Sequence, residues 1–80
     1  MGRPKLTRYQ LAARRAMGME ILAARQRALL SQAALAEEIV RAAAARGSTL
    51  QLSRHQISEA ERGAASAPPA LRAWLAEQTD

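Results

Sequence analysis

The chain has 80 residues, a net charge of +5 and no cysteine, and 20 of its residues are alanine. This length allows one small domain, the alanine content favours an all-α fold, and the lack of cysteine excludes disulfides and thiolate metal sites, as in a cytoplasmic protein. The charge is uneven, since residues 1–30 carry +6 and residues 31–80 carry −1, which favours a polyanionic partner, and no apolar run is long enough to span a membrane.

The first predicted element is a flexible basic arm over residues 1–6, and a single helical domain is expected over residues 7–80. Pro4 disfavours helix in the residue before it, and nothing apolar anchors the segment. The stretch Gly2-Arg3-Pro4-Lys5 resembles the core of an AT-hook, in which an extended arginine enters the minor groove of DNA. The alternative is a basic disordered tail, in which Arg3 and Lys5 would still neutralise phosphates.

A long first helix is predicted from Arg8 to about Ala28, with Thr7 and Gln10 forming a capping box at its start. Gly18 lies in the middle of this stretch. It either divides the stretch into an accessory helix and a core helix, or it lets another helix pack closely, and the sequence leaves both open. The buried side of the helix is predicted to carry Leu11, Met17, Ile21, Leu22, Ala28 and Leu29.

The second helix is predicted from Gln32 to Arg46, with Ser31 as its N-cap and Gly47 ending it. Glu37 and Glu38 are spaced to form exposed ion pairs with Arg41. Its inward side chains are predicted to be Leu35, Ala36, Ile39 and Val40. Residues 48–52 then lead to the next helix, either as a short extended piece or with Leu52 packed under the helix start.

A short third helix is predicted between the N-cap Ser53, which forms a capping box with Gln56, and the terminating Gly63. Ile57 and Ala60 share its apolar face. Its polar face carries Arg54, His55, Ser58 and Glu59. After a proline-containing turn, Pro69 suits the first position of a final helix that runs to about Gln78. That helix places Leu71, Trp74 and Leu75 on one side, and Trp74 is expected to be the largest core residue.

Two stretches carry a resemblance to a known family. Residues 30–36 read Leu-Ser-Gln, two residues, Leu-Ala, and residues 53–63 read Ser, three residues, Ile-Ser, two residues, Glu-Arg-Gly. Over about residues 17–76 the chain resembles the Cro/CI-type (XRE) helix-turn-helix DNA-binding family. The resemblance implies a small lambda-repressor-like bundle of four to five helices.

The chain departs from the family pattern at two places. Leu29 replaces a glycine that is common in the family, which predicts a differently shaped turn before Ser31. The two caps, Ser31 and Ser53, are 22 positions apart, about twice the usual separation, so the turn of the motif is enlarged by roughly residues 41–51.

The resemblance implies a sequence-specific regulator of transcription, a repressor that binds a palindromic double-stranded DNA operator as a homodimer. The helix over residues 53–62 would enter the major groove. Base contacts are implied for Arg54, His55, Glu59, Ser58 and Gln32, and contacts to phosphates or the minor groove for Arg3, Lys5, Arg14, Arg15, Arg27 and Ser31. Arg25 and Glu61 match a structural ion pair of the family. Its small members often belong to mobile genetic elements, which suggests such an element here.

Other functions have less support in the sequence. An enzyme is not expected, because one histidine and no cysteine leave no nucleophile and base pair, and no spacing suits a metal, a cofactor or a small-molecule ligand. The alternative function is a helical protein–protein interaction module, like an antiactivator or antitoxin, that keeps the scaffold and uses its alanine-lined second helix as the contact surface. For the regulator, the expected location is the cytoplasm, on the nucleoid when DNA is bound.

Overall fold

A computed structural model of the chain describes residues 6–78 and contains four α-helices in that part. They are α1 (Arg8–Arg27), α2 (Gln32–Ala45), α3 (Arg54–Glu61) and α4 (Pro69–Gln78). No strand occurs between residues 6 and 78, so the all-α prediction is confirmed. Among these four helices, none has a segment with the length and hydropathy that crossing a membrane requires.

The first three helices start at the predicted polar N-caps. At the start of α1, the backbone amide of Gln10 donates to the Thr7 hydroxyl and the Thr7 amide donates back to the Gln10 side chain, at 3.1 and 2.8 Å. Ser53 and Gln56 exchange the same two bonds at the start of α3, and the Ser31 hydroxyl accepts from an amide in the first turn of α2. These bonds satisfy amides that a first helical turn leaves unpaired, so the local sequence determines where each helix begins.

The same three helices end in the same way, in a Schellman motif. The residue after each C-cap has a positive φ, +60° at Leu29, +79° at Gly47 and +73° at Gly63. In each case its amide and the next amide donate to carbonyls of the last helical turn. The turn before Ser31 therefore has a left-handed residue although leucine stands there, and an L side chain is strained in that conformation.

The core lies between one side of each helix. Its buried members are Ile21 and Ala24 of α1, Leu35, Ala36 and Ile39 of α2, Ile57 and Ala60 of α3, and Leu71, Trp74 and Leu75 of α4. Within it, α3 packs against α1 and α2, and α4 packs against the same two helices. The short α3 is therefore held in place by contacts with both α1 and α2.

Trp74 is buried, as predicted, and its indole N–H donates to the Glu38 carboxylate at 3.1 Å. The predicted pairing of Glu37 and Glu38 with Arg41 is wrong, because neither ion pair found within residues 6–78 includes Arg41. A buried indole needs an acceptor, and Glu38 supplies one across the α2–α4 contact.

α1 is a single helix, and Gly18 is buried near its middle. A Cβ at this position would lie 2.4 Å from the carbonyl oxygen of Glu61 and 2.5 Å from that of Ala60. Of the two possibilities left open by the sequence, the second is correct, since Gly18 lets α1 touch the backbone at the end of α3.

The predicted buried side of α1 is only partly correct. Ile21 is buried and Met17 and Leu22 are half-buried, but Leu11, Ala28 and Leu29 are exposed. The residues of α1 before Met17 are exposed apart from the half-buried Arg14, so Leu11 lies outside the packed part of the helix. Ala28 and Leu29 lie beyond the last residue of α1, in an exposed turn, and the chain packs against the core again at Leu30.

Residues 48–52 form neither a helix nor a hydrogen-bonded strand, so the connection stays compatible with a short extended piece and with Leu52 packed under the helix start. Leu50 and Leu52 are half-buried and pack against the core, which leaves Leu52 anchoring the chain just before the start of α3. α2 ends at Ala45 with Arg46 as its C-cap, one residue before the predicted end. The predicted enlargement, residues 41–51, therefore consists of the last five residues of α2, the turn at Arg46 and Gly47, and a connection whose Leu50 packs against the core.

Candidate nucleic-acid interface

The two sides of α3 have different surroundings. Ile57 and Ala60 are packed into the core, with 0% and 1% of their surface exposed. On the other side, Arg54 and His55 are exposed in the first turn, and Ser58 and Glu59 are half-buried one turn later. The N-terminal residues of α3 are therefore free to meet another molecule, as the leading residues of a groove-binding helix must be.

Four of the five residues predicted to contact bases line a single open cleft. The cleft has a volume of about 190 Å³ and is formed by Gln32 of α2 with Arg54, His55 and Ser58 of α3. We call it the polar cleft. It brings together a guanidinium, an imidazole, a hydroxyl and an amide, which between them can donate to and accept from base edges. Residues 22 positions apart in the sequence thus form one surface.

Glu59, the fifth predicted residue, does not line the polar cleft but pairs with one of its members. Its Oε1 atom lies 3.0 Å from Nε2 of His55, and the two side chains are 35% and 75% exposed. An exposed pair of this kind contributes little to stability. The contact holds the imidazole beside the carboxylate on the outer side of α3, where both groups remain accessible.

Arg25 and Glu61 form the structural ion pair that the resemblance implied. Arg25 Nε lies 2.6 Å from Glu61 Oε2, Nη2 donates to Oε1 at 3.1 Å, and Nη1 donates to the backbone carbonyl of Leu30 at 2.9 Å. The hydrogen bond with Glu61 raises the pKa of Arg25, against the opposing effect of burial. The pair ties the last turn of α3 to α1 and to the turn before α2.

Gln32 also belongs to this network, which the sequence analysis did not foresee. Its amide Nε2 donates to Glu61 Oε1 at 3.0 Å, while its side chain also borders the polar cleft. Nothing in the local pattern of either helix predicts this bond, because the two residues are 29 positions apart. The bond depends on how α2 and α3 are placed relative to each other.

The predicted phosphate-binding residues are spread over the surface. Arg15 and Arg27 are exposed, Arg14 is half-buried, and neither ion pair found within residues 6–78 uses any of them. Arg15 lies against the end of α3, since a Cβ on Gly63 would be 2.9 Å from Arg15 Cγ. Arg15 and Arg27 are about 18 Å apart along α1 at 1.5 Å per residue, so they could reach different phosphates.

The remaining predicted contacts have less structural detail. The Ser31 hydroxyl caps α2 by accepting a hydrogen bond from the backbone amide of Ala34, and Ser31 is exposed. A helix N-terminus of this kind favours anions. Arg3, Lys5 and the rest of the predicted arm before Leu6 lie outside the described residues.

A second, apolar feature runs along α2. An open groove of about 540 Å³ is lined mainly by Ala33, Ala36, Val40, Ala44 and Leu52. We call it the α2 groove. It lies beside the connection that returns to α3, and Glu37, Arg41 and Arg54 border it. Large apolar side chains are also exposed elsewhere, with Tyr9 at 89%, Met19 at 70% and Leu29 at 91%.

Comparison with known proteins adds no assignment for these surfaces. No protein-family model, no curated protein and no solved structure matches the chain. The functional interpretation therefore depends on the residues of the site and on their arrangement.

Proposed function

We propose that the chain is a sequence-specific double-stranded DNA-binding regulator of transcription with a lambda-repressor-like helix-turn-helix fold. In this proposal α2 and α3 form the motif, and the protein is a repressor of the Cro/CI type. The observation that carries it is the polar cleft, in which Gln32 and Ser58 stand beside the exposed Arg54 and His55 at the start of α3. The motif needs this arrangement, since its second helix reads bases with its N-terminal residues.

The chemistry of each side chain suits a base edge in the major groove. Arg54 can donate two hydrogen bonds to O6 and N7 of guanine, and Glu59 can accept from N4 of cytosine. His55 can donate to an acceptor such as thymine O4, and Ser58 can donate or accept. A row of donors and acceptors on one exposed helical face gives sequence readout, whereas phosphate contacts alone would not.

The basic N-terminal third of the chain supports binding to a polyanion. Residues 1–30 carry a net charge of +6, and Arg14, Arg15 and Arg27 are placed along α1. Arginines at such spacing neutralise phosphates and position a protein on the duplex without reading sequence. We propose that they supply most of the affinity and that the polar cleft supplies the preference for one sequence.

The proposal is tested first by selecting bound sequences from a random pool of duplex DNA and measuring affinity for the selected site at different salt concentrations. We expect one sequence to be enriched and its affinity to fall steeply between about 50 and 200 mM salt, because phosphate contacts release counterions. Binding that does not change with salt, or a pool without enrichment, would overturn the proposal.

Arg54→Ala tests the role of the polar cleft directly. We expect it to weaken binding to the selected site by about 1–3 kcal/mol and to relax the preference at one base position. Arg72→Ala is the matched control, because Arg72 is an exposed arginine on α4 and loses the same charge. An Arg54 variant that binds like the Arg72 variant would contradict the proposed role.

We propose that the protein binds a palindromic operator as a homodimer. A chain of 80 residues has a thin core, and two-fold related half-sites one helical turn apart are the usual target of this motif. The selected sequence should therefore contain an inverted repeat, and sedimentation should show two chains on it. One chain on a site without symmetry would remove the dimer from the proposal.

A second candidate function is a protein–protein interaction module, and the α2 groove favours it. The groove is apolar, open and lined by the alanines of the long second helix. Ala44→Gln separates the two functions, because Ala44 is exposed in the α2 groove and does not line the polar cleft. DNA affinity should stay within about twofold of the wild type if the polar cleft reads DNA. Absence of DNA binding by the wild type would leave the interaction module as the better hypothesis.

A further inference from the structure

We propose that Glu61 orients the side chain of Gln32, so that Gln32 presents its amide oxygen to the polar cleft as a specificity-determining acceptor. The inference rests on the proposed function and deepens it. It assigns to the Arg25–Glu61 ion pair a second task beyond joining helices, which is to select one of the two ways in which the Gln32 amide can point.

Glu61 is a fixed acceptor. Only 6% of its side chain is exposed, and both of its carboxylate oxygens accept from Arg25, at 2.6 and 3.1 Å. Arg25 is itself held by a third bond, from Nη1 to the carbonyl oxygen of Leu30 at 2.9 Å. A carboxylate that accepts two hydrogen bonds from one guanidinium has a defined position and orientation.

Gln32 meets this carboxylate with its nitrogen. Nε2 of Gln32 lies 3.0 Å from Glu61 Oε1. Rotation of the amide by half a turn would instead bring the Gln32 oxygen, an acceptor, against another acceptor at this distance. A carboxylate has no proton to donate, so that arrangement loses a hydrogen bond and adds repulsion. The amide is thus held with its nitrogen toward Glu61 and its oxygen on the other side.

Gln32 lines the polar cleft with Arg54, His55 and Ser58, and because its nitrogen is bonded to Glu61 we infer that its oxygen is the atom available to the cleft. Arg54 has only donors, and Gln32 supplies an acceptor from the opposite helix. In the major groove, the partners of an acceptor are the exocyclic amino groups, N6 of adenine and N4 of cytosine, whereas guanine O6 and thymine O4 are acceptors themselves. Gln32 is therefore expected to select adenine or cytosine at one position of the bound strand.

The orientation is tested without DNA by NMR of the Gln32 side-chain amide in the free protein. We expect one Nε2 proton to be shifted and to exchange more slowly than the Nε2 protons of the exposed Gln51, and Glu61→Gln to remove this difference. A Gln32 amide that behaves like that of Gln51 in the wild type would overturn the inference, whatever the protein binds.

The readout is tested by repeating the DNA selection with Glu61→Gln and with the control Glu77→Gln, which removes the same charge from the exposed surface of α4. The wild type and the Glu77 variant should prefer an amino-bearing base by about tenfold at one position. The Glu61 variant should prefer it by less than about threefold and keep its preferences elsewhere. Uniform weakening at all positions would mean that Glu61 only stabilises the fold, and would overturn the inference.

Gln32→Met keeps the test decisive if the Glu61 variant does not fold, since it leaves the Arg25–Glu61 pair intact. It should lose the preference at the same base position and at no other. Where both variants fold, adding Glu61→Gln to Gln32→Met should change that preference no further, because Glu61 acts through Gln32. A Gln32 variant with the wild-type preference would overturn the inference alone, whereas a wild type that enriches no sequence would overturn the proposed function and this role with it.

Discussion

The inner and outer sides of α3 differ in almost every property. The inner side is held by burial of Ile57 and Ala60, by backbone contact with Gly18 and by the ion pair of Glu61 with Arg25. The outer side carries exposed Arg54 and His55, and the contact described there is an accessible His55–Glu59 pair. An eight-residue helix is too short to be stable alone. The contacts of its inner side must therefore stabilise the helical conformation that places Arg54 and His55 on the outer side.

The residues that position α3 are therefore largely separate from those proposed to read DNA. Gln32 is the exception, because it bonds to Glu61 on the inner side and borders the polar cleft on the outer side. Substitutions should therefore fall into two groups, one that changes stability and one that changes recognition, with Gln32 affecting recognition through an inner contact.

The difference between the inner and outer sides of α3 is tested most strongly by comparing the stability of Ile57→Ala with that of His55→Ala. Ile57 is fully buried, so we expect its truncation to lower the free energy of unfolding by about 4 kcal/mol, through lost burial and a cavity. His55 is two residues away and 75% exposed as a side chain, so its truncation should change the same quantity by less than about 0.5 kcal/mol. Urea denaturation measures both. Similar losses for the two variants would show that the sides of α3 are not distinct.

Gly18→Ala tests the backbone contact that holds the inner side. The added Cβ would lie within 2.5 Å of two carbonyl oxygens of α3, so we expect a net loss of about 2 kcal/mol even though alanine favours helix. Gly47→Ala is the control, because no atom lies within 4 Å of its Cβ position and only the positive φ is strained. It should lose about 1 kcal/mol. Stabilisation by Gly18→Ala would mean that α1 and α3 are not in close contact.

Leu29→Gly is expected to have the smallest effect, and in the opposite direction. Leu29 is 91% exposed and has a φ of +60°, so its side chain loses little burial when removed and its backbone strain is relieved. We expect stability to rise by about 1 kcal/mol. Leu29→Ala keeps a Cβ and should leave stability near the wild-type value. Equal gains for alanine and glycine would assign the effect to the exposed side chain and not to the backbone.

Much of the fold could be predicted because the start and end of each helix depend on residues close to it in the sequence. The capping boxes Thr7–Gln10 and Ser53–Gln56 and the terminating Gly47 and Gly63 depend on residues three or four positions apart. The wrong predictions concern side chains whose burial or partner depends on parts of the chain that are distant in sequence. Leu11 fits an apolar pattern, but it lies in the part of α1 before Met17, where no residue is buried. Glu38 contacts Trp74 instead of Arg41 because α4 packs against α2.

The candidate site was predicted as a set of residues but not as a network. The polar positions of α3 follow from helical periodicity once Ile57 and Ala60 are placed inward, so Arg54 and His55 were identifiable. The bond between Gln32 and Glu61 was not, because it depends on how the enlarged turn returns the chain to α2. Periodicity describes one helix at a time, whereas this bond joins two.

The close contact of Gly18 with α3 affects which substitutions in this protein the fold can tolerate. The contacts that hold α3 are made by its backbone and by its inward side chains. The exposed Arg54 and His55 take no part in them. Chains with other residues at these two positions should fold as readily. Under the proposed function, single substitutions there would therefore change the DNA target and leave the fold intact. Substitution of Gly18 should not be tolerated in the same way, because any larger residue there would meet the carbonyl oxygens of Ala60 and Glu61 and displace α3.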